Sequence, residues 1–216
     1  MRLGELSERS GVSTATVKYY LREGLLPPGR RVSATQAEYD EEHLRRLRLV
    51  RALIQVGRVP VATAREVLAA VDDDSLDPTT RLGAAVWTLP HGPEPDGGAP
   101  ETPPARREVD ALLGRLGWSF AVAMGELSPA YRMLVGAVAG LVRLGYPHDV
   151  EHLLPYARAA GQLAGPEVDM VASRATPGEQ VEAAVALTVL FEPVLLALRR
   201  LAEAEESARR FGFPLP

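Results

Sequence analysis

Lys18 is the only lysine in a chain whose other basic residues are all arginine, and it stands among Thr14, Thr16, Tyr19 and Tyr20. These side chains suit one chemistry. A lysine ammonium can donate to the acceptor pair of a guanine, threonine can meet a base edge or a thymine methyl, and tyrosine can donate to a phosphate oxygen. Arg30 and Arg31 follow as an adjacent pair suited to phosphate. These seven residues are the candidate contacts to double-stranded DNA.

Elsewhere the chemistry is thinner. His148 and His152 are four apart with Glu151 between them, a spacing that could face a divalent metal, but no third ligand is near and they are expected to be surface residues. Glu192 interrupts the apolar run Val-Leu-Phe-Glu-Pro-Val-Leu-Leu and needs either exposure or an arginine partner. With Trp118, Tyr131, Tyr156 and Phe191 it forms the candidate lining of an apolar effector pocket. No Gly-rich phosphate loop, Gly-x-Ser-x-Gly or His-Glu-x-x-His occurs, so no catalytic apparatus, cofactor or metal is expected, and the chain does not read as an enzyme.

The DNA candidates need a helix to hold them. Ser13 is a good N-cap and Gly24 can take the left-handed conformation that stops a helix, which bounds a segment with Val17 and Leu21 facing inward and Thr14, Lys18 and Tyr20 facing elsewhere. Upstream, Leu3 and Leu6 mark a short amphipathic helix ending at Gly11-Val12, and helix, Gly turn, helix is a helix-turn-helix pattern. The order and spacing of Leu3-Gly4-Glu5-Leu6, Gly11-Val12-Ser13, Val17-Lys18-Tyr19-Tyr20 and Arg22-Glu23-Gly24-Leu25-Leu26-Pro27-Pro28 resemble the MerR family of bacterial transcription regulators.

The resemblance covers residues 1–71 and implies a winged helix-turn-helix. It further implies a homodimer on an inverted-repeat promoter whose recognition elements are too far apart, bent and untwisted so that RNA polymerase can engage. The wing departs from the family pattern. Relatives usually carry Gly-Tyr-Arg before the segment matching Tyr39-Asp40, whereas this chain has Thr35-Gln36-Ala37. Phosphate contact in the wing is therefore assigned to Arg30 and Arg31.

Composition sets the outer bounds. The chain has 216 residues, 46% of them apolar, enough for a real core. Prolines or charges interrupt each apolar run, so no membrane span is expected, and without a secretory leader the expected location is the cytoplasm. The absence of cysteine excludes disulfides and thiolate metal sites. The net charge of −4 hides an asymmetry: residues 1–71 hold 12 Lys and Arg against 8 Asp and Glu, and the remainder is acidic. Only the front half is expected to meet phosphate.

The expected architecture is all-α. After the wing, Asp40 caps a helix to about residue 56, with Arg45, Arg46, Arg48 and Arg51 as a solvated face, and Pro60 opens another. Residues 72–105 form a short helix near 79–89 and a mobile Pro/Gly-rich linker at 90–104. Residues 106–216 form a helical domain for dimerisation and effector binding, with helices near 106–116, 129–144, 147–164 and 177–210. Pro193 is expected to kink or divide the last of these. Its stretch 185–201 is apolar almost all round, so Leu195 and Leu198 are the candidate dimer contacts. The leading expectation is a DNA-binding regulator under a non-metal small-molecule effector. The alternative is a drug- or metabolite-sequestering protein in which DNA binding is secondary.

Overall fold

The computed structural model describes residues 1–33, 36–92 and 94–212. Ten α-helices and one two-stranded antiparallel ribbon are found among them, so the fold is mainly helical. The chain forms two compact units, the first made of Met1–Leu89 and Ser173–Pro216, the second of Pro90–Ala172. In chain order the first unit holds α1 (Leu3–Ser10), α2 (Thr14–Arg22), β1 (Arg30–Arg31), β2 (Ala37–Glu38), α3 (Glu41–Arg51), α4 (Val61–Val71) and α5 (Pro78–Trp87). The second holds α6 (Thr102–Leu116), α7 (Ser119–Met124), α8 (Pro129–Leu144) and α9 (Val150–Ala172). The chain then returns to the first unit as α10 (Pro177–Phe211).

Local chemistry sets the helix starts. Asp40 accepts from the amides of Glu42 and His43, and the His43 ring accepts back from the Asp40 N–H, so histidine takes the part that glutamate plays in a capping box. The His43 side chain, 2.7 Å from the Asp40 carboxylate, and then the His43 and Glu42 amides hold that carboxyl below its ordinary range. Asp77 and Ser128 cap α5 and α8 ahead of Pro78 and Pro129. Thr176 accepts from the Glu179 amide while Glu179 accepts from the Ala175 N–H, one residue short of a reciprocal box with Thr176. A π-helical turn at Ala52–Val56 carries α3 on to Gly57.

The first unit's core explains why α10 belongs to it. Leu6, Val17, Leu47, Leu53 and Val67 are buried together with Val181, Val185 and Val189, which recur every four residues along one face of α10. That helix packs against α5, α3, α4 and the π-helical turn. A Cβ at Gly57 would collide with Val189 and lie 3.0 Å from the Leu53 carbonyl, so the close passage of α10 requires glycine there. The second unit has its own smaller core, Ala105, Val109, Leu113, Tyr131, Val135 and Val138, where α6 meets α8.

Several expectations are corrected by these contacts. The boundary drawn at residue 106 placed 106–216 in one domain, but the start of α10 completes the core of the first unit and the other helices of that stretch form a separate one. Part of the expected linker is ordered: the Thr102 hydroxyl donates to the Asp96 carbonyl at 2.7 Å and is buried at the start of α6. Pro93 lies outside the described residues. Arg46, expected on a solvated face, is buried and ion-paired to Asp72. Pro193 stands inside α10, which runs on through it, so it does not divide the helix. Finally, α10 does contain a window long and apolar enough to cross a membrane, with mean hydropathy 2.0, because Glu192 and Pro193 dilute the run too little to break it.

Candidate nucleic-acid interface

The helix-turn-helix is built around a turn whose polar groups are almost all paired. Gly11 takes φ of 66°, its amide donates to the Glu8 carbonyl, and the Val12 amide donates to the Ser7 carbonyl. The Ser7 hydroxyl donates to the Val12 carbonyl at 2.6 Å. From the far side, the Arg51 guanidinium donates to the Ser10 carbonyl at 2.9 Å, tying the turn to α3 across 41 residues of sequence. Ser13 then caps α2, accepting from the Thr16 amide at 3.1 Å.

Along α2 the side chains sort by face. Val17 and Tyr20 are buried against the core, and Leu21 packs partly on it. Thr14, Lys18 and Arg22 are exposed and four residues apart, so they form one outward ridge. Arg22 extends the ridge to the helix end, with its guanidinium 5.7 Å from the centre of the Tyr19 ring. The sequence assignment missed Arg22, though the same four-residue step from Lys18 points to it. It also placed Tyr20 on the phosphate, and that is corrected: Tyr20 is 3% exposed, and burial pushes its phenol above the ordinary range. Thr16 is half-buried, and its hydroxyl is 2.8 Å from that of Ser13, so it is engaged in the cap. Tyr19 is half-exposed beside the ridge.

The C-terminal end of α2 is clamped. Arg65 on α4 donates through Nε to the Glu23 carbonyl at 2.8 Å and pairs with the Glu23 carboxylate at 3.1 Å. Gly24 is left-handed, and Leu25 and Leu26 bury themselves beyond it. The ridge is therefore presented by a helix fixed at both ends.

The wing is present as β1 and β2, with Arg30 opposite Glu38 and Arg31 opposite Ala37. A Cβ at Gly29 would lie 2.7 Å from the Glu38 carbonyl and 2.9 Å from the Tyr39 ring, so the ribbon closes there because the residue is glycine. Arg30 is ion-paired to Glu38, whereas Arg31 is exposed on the other face of the ribbon. Thr35 in the divergent tip lies outside the described residues.

The effector candidates are distributed over both units. Tyr131 is a core residue of the second unit: its hydroxyl donates to Asp110 at 2.7 Å, and burial together with that carboxylate pushes the phenol up to about 12. Trp118 and Tyr156 are exposed on the second unit, and Glu192 is exposed beside half-buried Phe191 on α10 in the first. A cavity of about 340 Å³ in the second unit and cavities of about 400 and 510 Å³ in the first are lined by other residues. His148 accompanies the Tyr146 carbonyl and His152 the Asp149 carboxylate. Leu195 and Leu198 are exposed on α10, half or more of each surface being open.

Comparison with known proteins agrees with this geometry. The model of the MerR HTH family of regulatory proteins matches residues 1–71. A ZntR homolog, an HTH-type transcriptional regulator of Haemophilus influenzae, is 40% identical over 50 residues, covering 23% of this chain and 37% of that protein. Heavy metal-dependent transcription regulator 2 of Rhizobium meliloti is 35% identical over 75 residues, covering 35% of this chain and 50% of its own length. The chain thus spans half or less of the length of these curated relatives. A crystal structure extends the likeness to the whole chain: SCO5550 of Streptomyces coelicolor A3(2), described as a transcriptional regulator on a provisional basis, is 59% identical with a TM-score of 0.87, covering 100% of both chains. The chain belongs to the MerR helix-turn-helix family of regulatory proteins.

Proposed function

We propose that this regulator binds an inverted-repeat promoter site as a homodimer, distorts the DNA between its half-sites, and responds to a non-metal small molecule. The observation that carries the DNA reading is the ridge of Thr14, Lys18 and Arg22, held outward on a helix clamped by Ser13 and Arg65 over a buried Val17 and Tyr20. Lys18 and Thr14 read base edges in the major groove. Tyr19, Arg22 and Arg31 hold register on phosphate, and Arg30 does so by exchanging its exposed Glu38 partner. Untwisting the site costs deformation energy, offset by repeating these contacts in the second half-site. RNA polymerase as partner, and regulation in place of catalysis, follow from family resemblance.

The dimer is placed on α10. Its first half supplies Val181, Val185 and Val189 to the DNA-binding core, while Val194, Leu195, Leu198 and Leu201 farther along are exposed. A helix with one half built into this core and the other open supports pairing with a second copy over crossing a bilayer, and with it a cytoplasmic location. The Rhizobium relative is named for heavy-metal dependence, but this sequence has no cysteine, so a thiolate site for such an ion cannot form, which supports an effector of another kind.

Footprinting on the DNA upstream of the chain's own gene locates the operator, and gel-shift titration of variants tests the reading. Lys18→Ala is expected to cost about 1 to 3 kcal/mol, varying with the base pair opposite it. Arg31→Ala is expected to weaken all sequences alike and flatten the salt slope by about one. Wild-type affinity and base preference in Lys18→Ala would remove α2 as the reading helix.

A further inference from the structure

Between α3 and α10, inside the first unit, lies a groove of about 400 Å³ that the DNA-binding reading does not use. Its floor is apolar. Leu49 and Ala52 come from α3 and the π-helical turn, and Ala183, Ala186, Leu187 and Leu190 come from a face of α10 distinct from the Val181, Val185 and Val189 face that fills the core. Small alanines opposite Leu49 leave the room.

The polar lining is unevenly matched. Three arginines, Arg45, Arg48 and Arg174, share the groove with two carboxylates, Glu179 and Glu182. Both carboxylates are already committed. Glu179 accepts from the Ala175 amide at 3.2 Å and stands 3.6 Å from Arg45, and Glu182 stands 3.8 Å from both Arg45 and Arg46. Among the described residues no ion pair joins Arg48 or Arg174 to a carboxylate, whereas the buried Nε of Arg45 faces Glu182 at 3.8 Å, beyond hydrogen-bond reach. An apolar floor flanked by two guanidinium groups without a carboxylate partner selects for negative charge on an apolar body. A cationic guest would meet Arg48 and Arg174 as like charges.

We propose that this groove binds a small amphipathic organic anion, a carboxylate or sulfonate whose head is held by Arg48 and Arg174 and whose body lies on Leu49, Ala52, Leu187 and Leu190. The site joins α3, which anchors the helix-turn-helix through Arg51, to the helix on which the dimer is placed. A bound anion fixes the angle between them, and so the spacing of the two recognition helices. This consequence for DNA rests on the proposed function, whereas the binding itself does not.

Calorimetry on the full chain with decanoate, and with decyltrimethylammonium as the cationic counterpart, tests it, both kept below micelle formation. Decanoate is expected to saturate, and to bind at least about tenfold more tightly than the cation. The double variant Arg48→Ala/Arg174→Ala changes only exposed side chains and is expected to weaken decanoate at least about tenfold, which is about 1.4 kcal/mol. Ala186→Phe, which fills the floor, is expected to abolish binding. Equal affinity for the two amphiphiles, or undiminished decanoate binding in the double arginine variant, overturns the site. Operator titration with and without decanoate separates the two proposals. Arginine-dependent binding that leaves operator affinity unchanged supports the site and refutes effector control through it. Normal operator binding without arginine-dependent uptake refutes the site and leaves the DNA reading standing.

Discussion

Val185 offers a direct test of how the chain is partitioned. It is fully buried in a core made largely by residues more than a hundred positions earlier, such as Leu53 and Val67. Val185→Ala removes two methyl groups, about 0.8 kcal/mol each in transfer, and leaves a cavity that rigid neighbours only partly fill, for a total of about 2 kcal/mol. With an m-value of about 2 kcal/mol/M, the urea midpoint should fall by about 1 M. The two tryptophans make the measurement specific, since Trp87 ends α5 in the first unit and Trp118 precedes α7 in the second. Trp118→Phe leaves Trp87 as reporter, and Trp87→Phe leaves Trp118. Val185→Ala is expected to lower the midpoint reported by Trp87 and to leave that reported by Trp118 in place. A shift seen only through Trp118, or shared equally by both, would show that α10 belongs to the bundle or that the units melt as one, and the partition argued above would fail.

Three further outcomes follow from named residues. Tyr20→Ala is expected to destabilise the first unit by about 3 to 5 kcal/mol through loss of a buried ring, whereas Tyr20→Phe should leave operator affinity near wild type, as equilibrium unfolding and gel shift would show. Leu195→Glu and Leu198→Glu alter exposed positions and should yield folded monomers that have lost cooperative operator binding; if light scattering finds both dimeric at low micromolar concentration, the interface is not on this part of α10. Burial pushes the Glu182 carboxyl above its ordinary range, with Arg46 and Arg45 opposing the shift only in part. Folding therefore favours protonation of this carboxyl relative to the unfolded chain, and that contribution is lost as pH rises from the unfolded carboxylate value through the raised folded one. Glu182→Gln has no such dependence, so its stability relative to wild type should rise with pH over that interval in urea titrations read through Trp87.

The parts of this molecule that could be read from the sequence are those in which neighbours in sequence are neighbours in space. The Ser13 cap, the Gly11 turn, and the Pro129 and Pro177 helix starts each depend on a few consecutive residues, and each lies where the local chemistry puts it. Tyr20 failed because its polar hydroxyl suggested a surface role, while its position, three residues after Val17, lies on the buried face. Arg46 failed similarly: its charge implied solvent, and its partner Asp72 is 26 residues away. Periodicity says which residues share a face but not what that face meets.

The same limit governs α10, and there it bears on function. A segment apolar on nearly every side announces that it needs more than one partner, but sequence alone cannot say which partner takes which part. The structure assigns the early turns to the DNA-binding core through Val181, Val185 and Val189, and leaves Leu195, Leu198 and Leu201 open. One continuous helix thereby has its beginning in the unit that reads DNA and its remainder on the surface proposed to pair the copies. A change in its tilt shifts the open leucines relative to the core, with Val189 against Gly57 as a point of contact. In the proposed dimer, coupling therefore needs no long relay of residues. In that proposed dimer, a ligand that prefers one tilt of α10 over another would act on half-site spacing directly, and only to the extent of that preference.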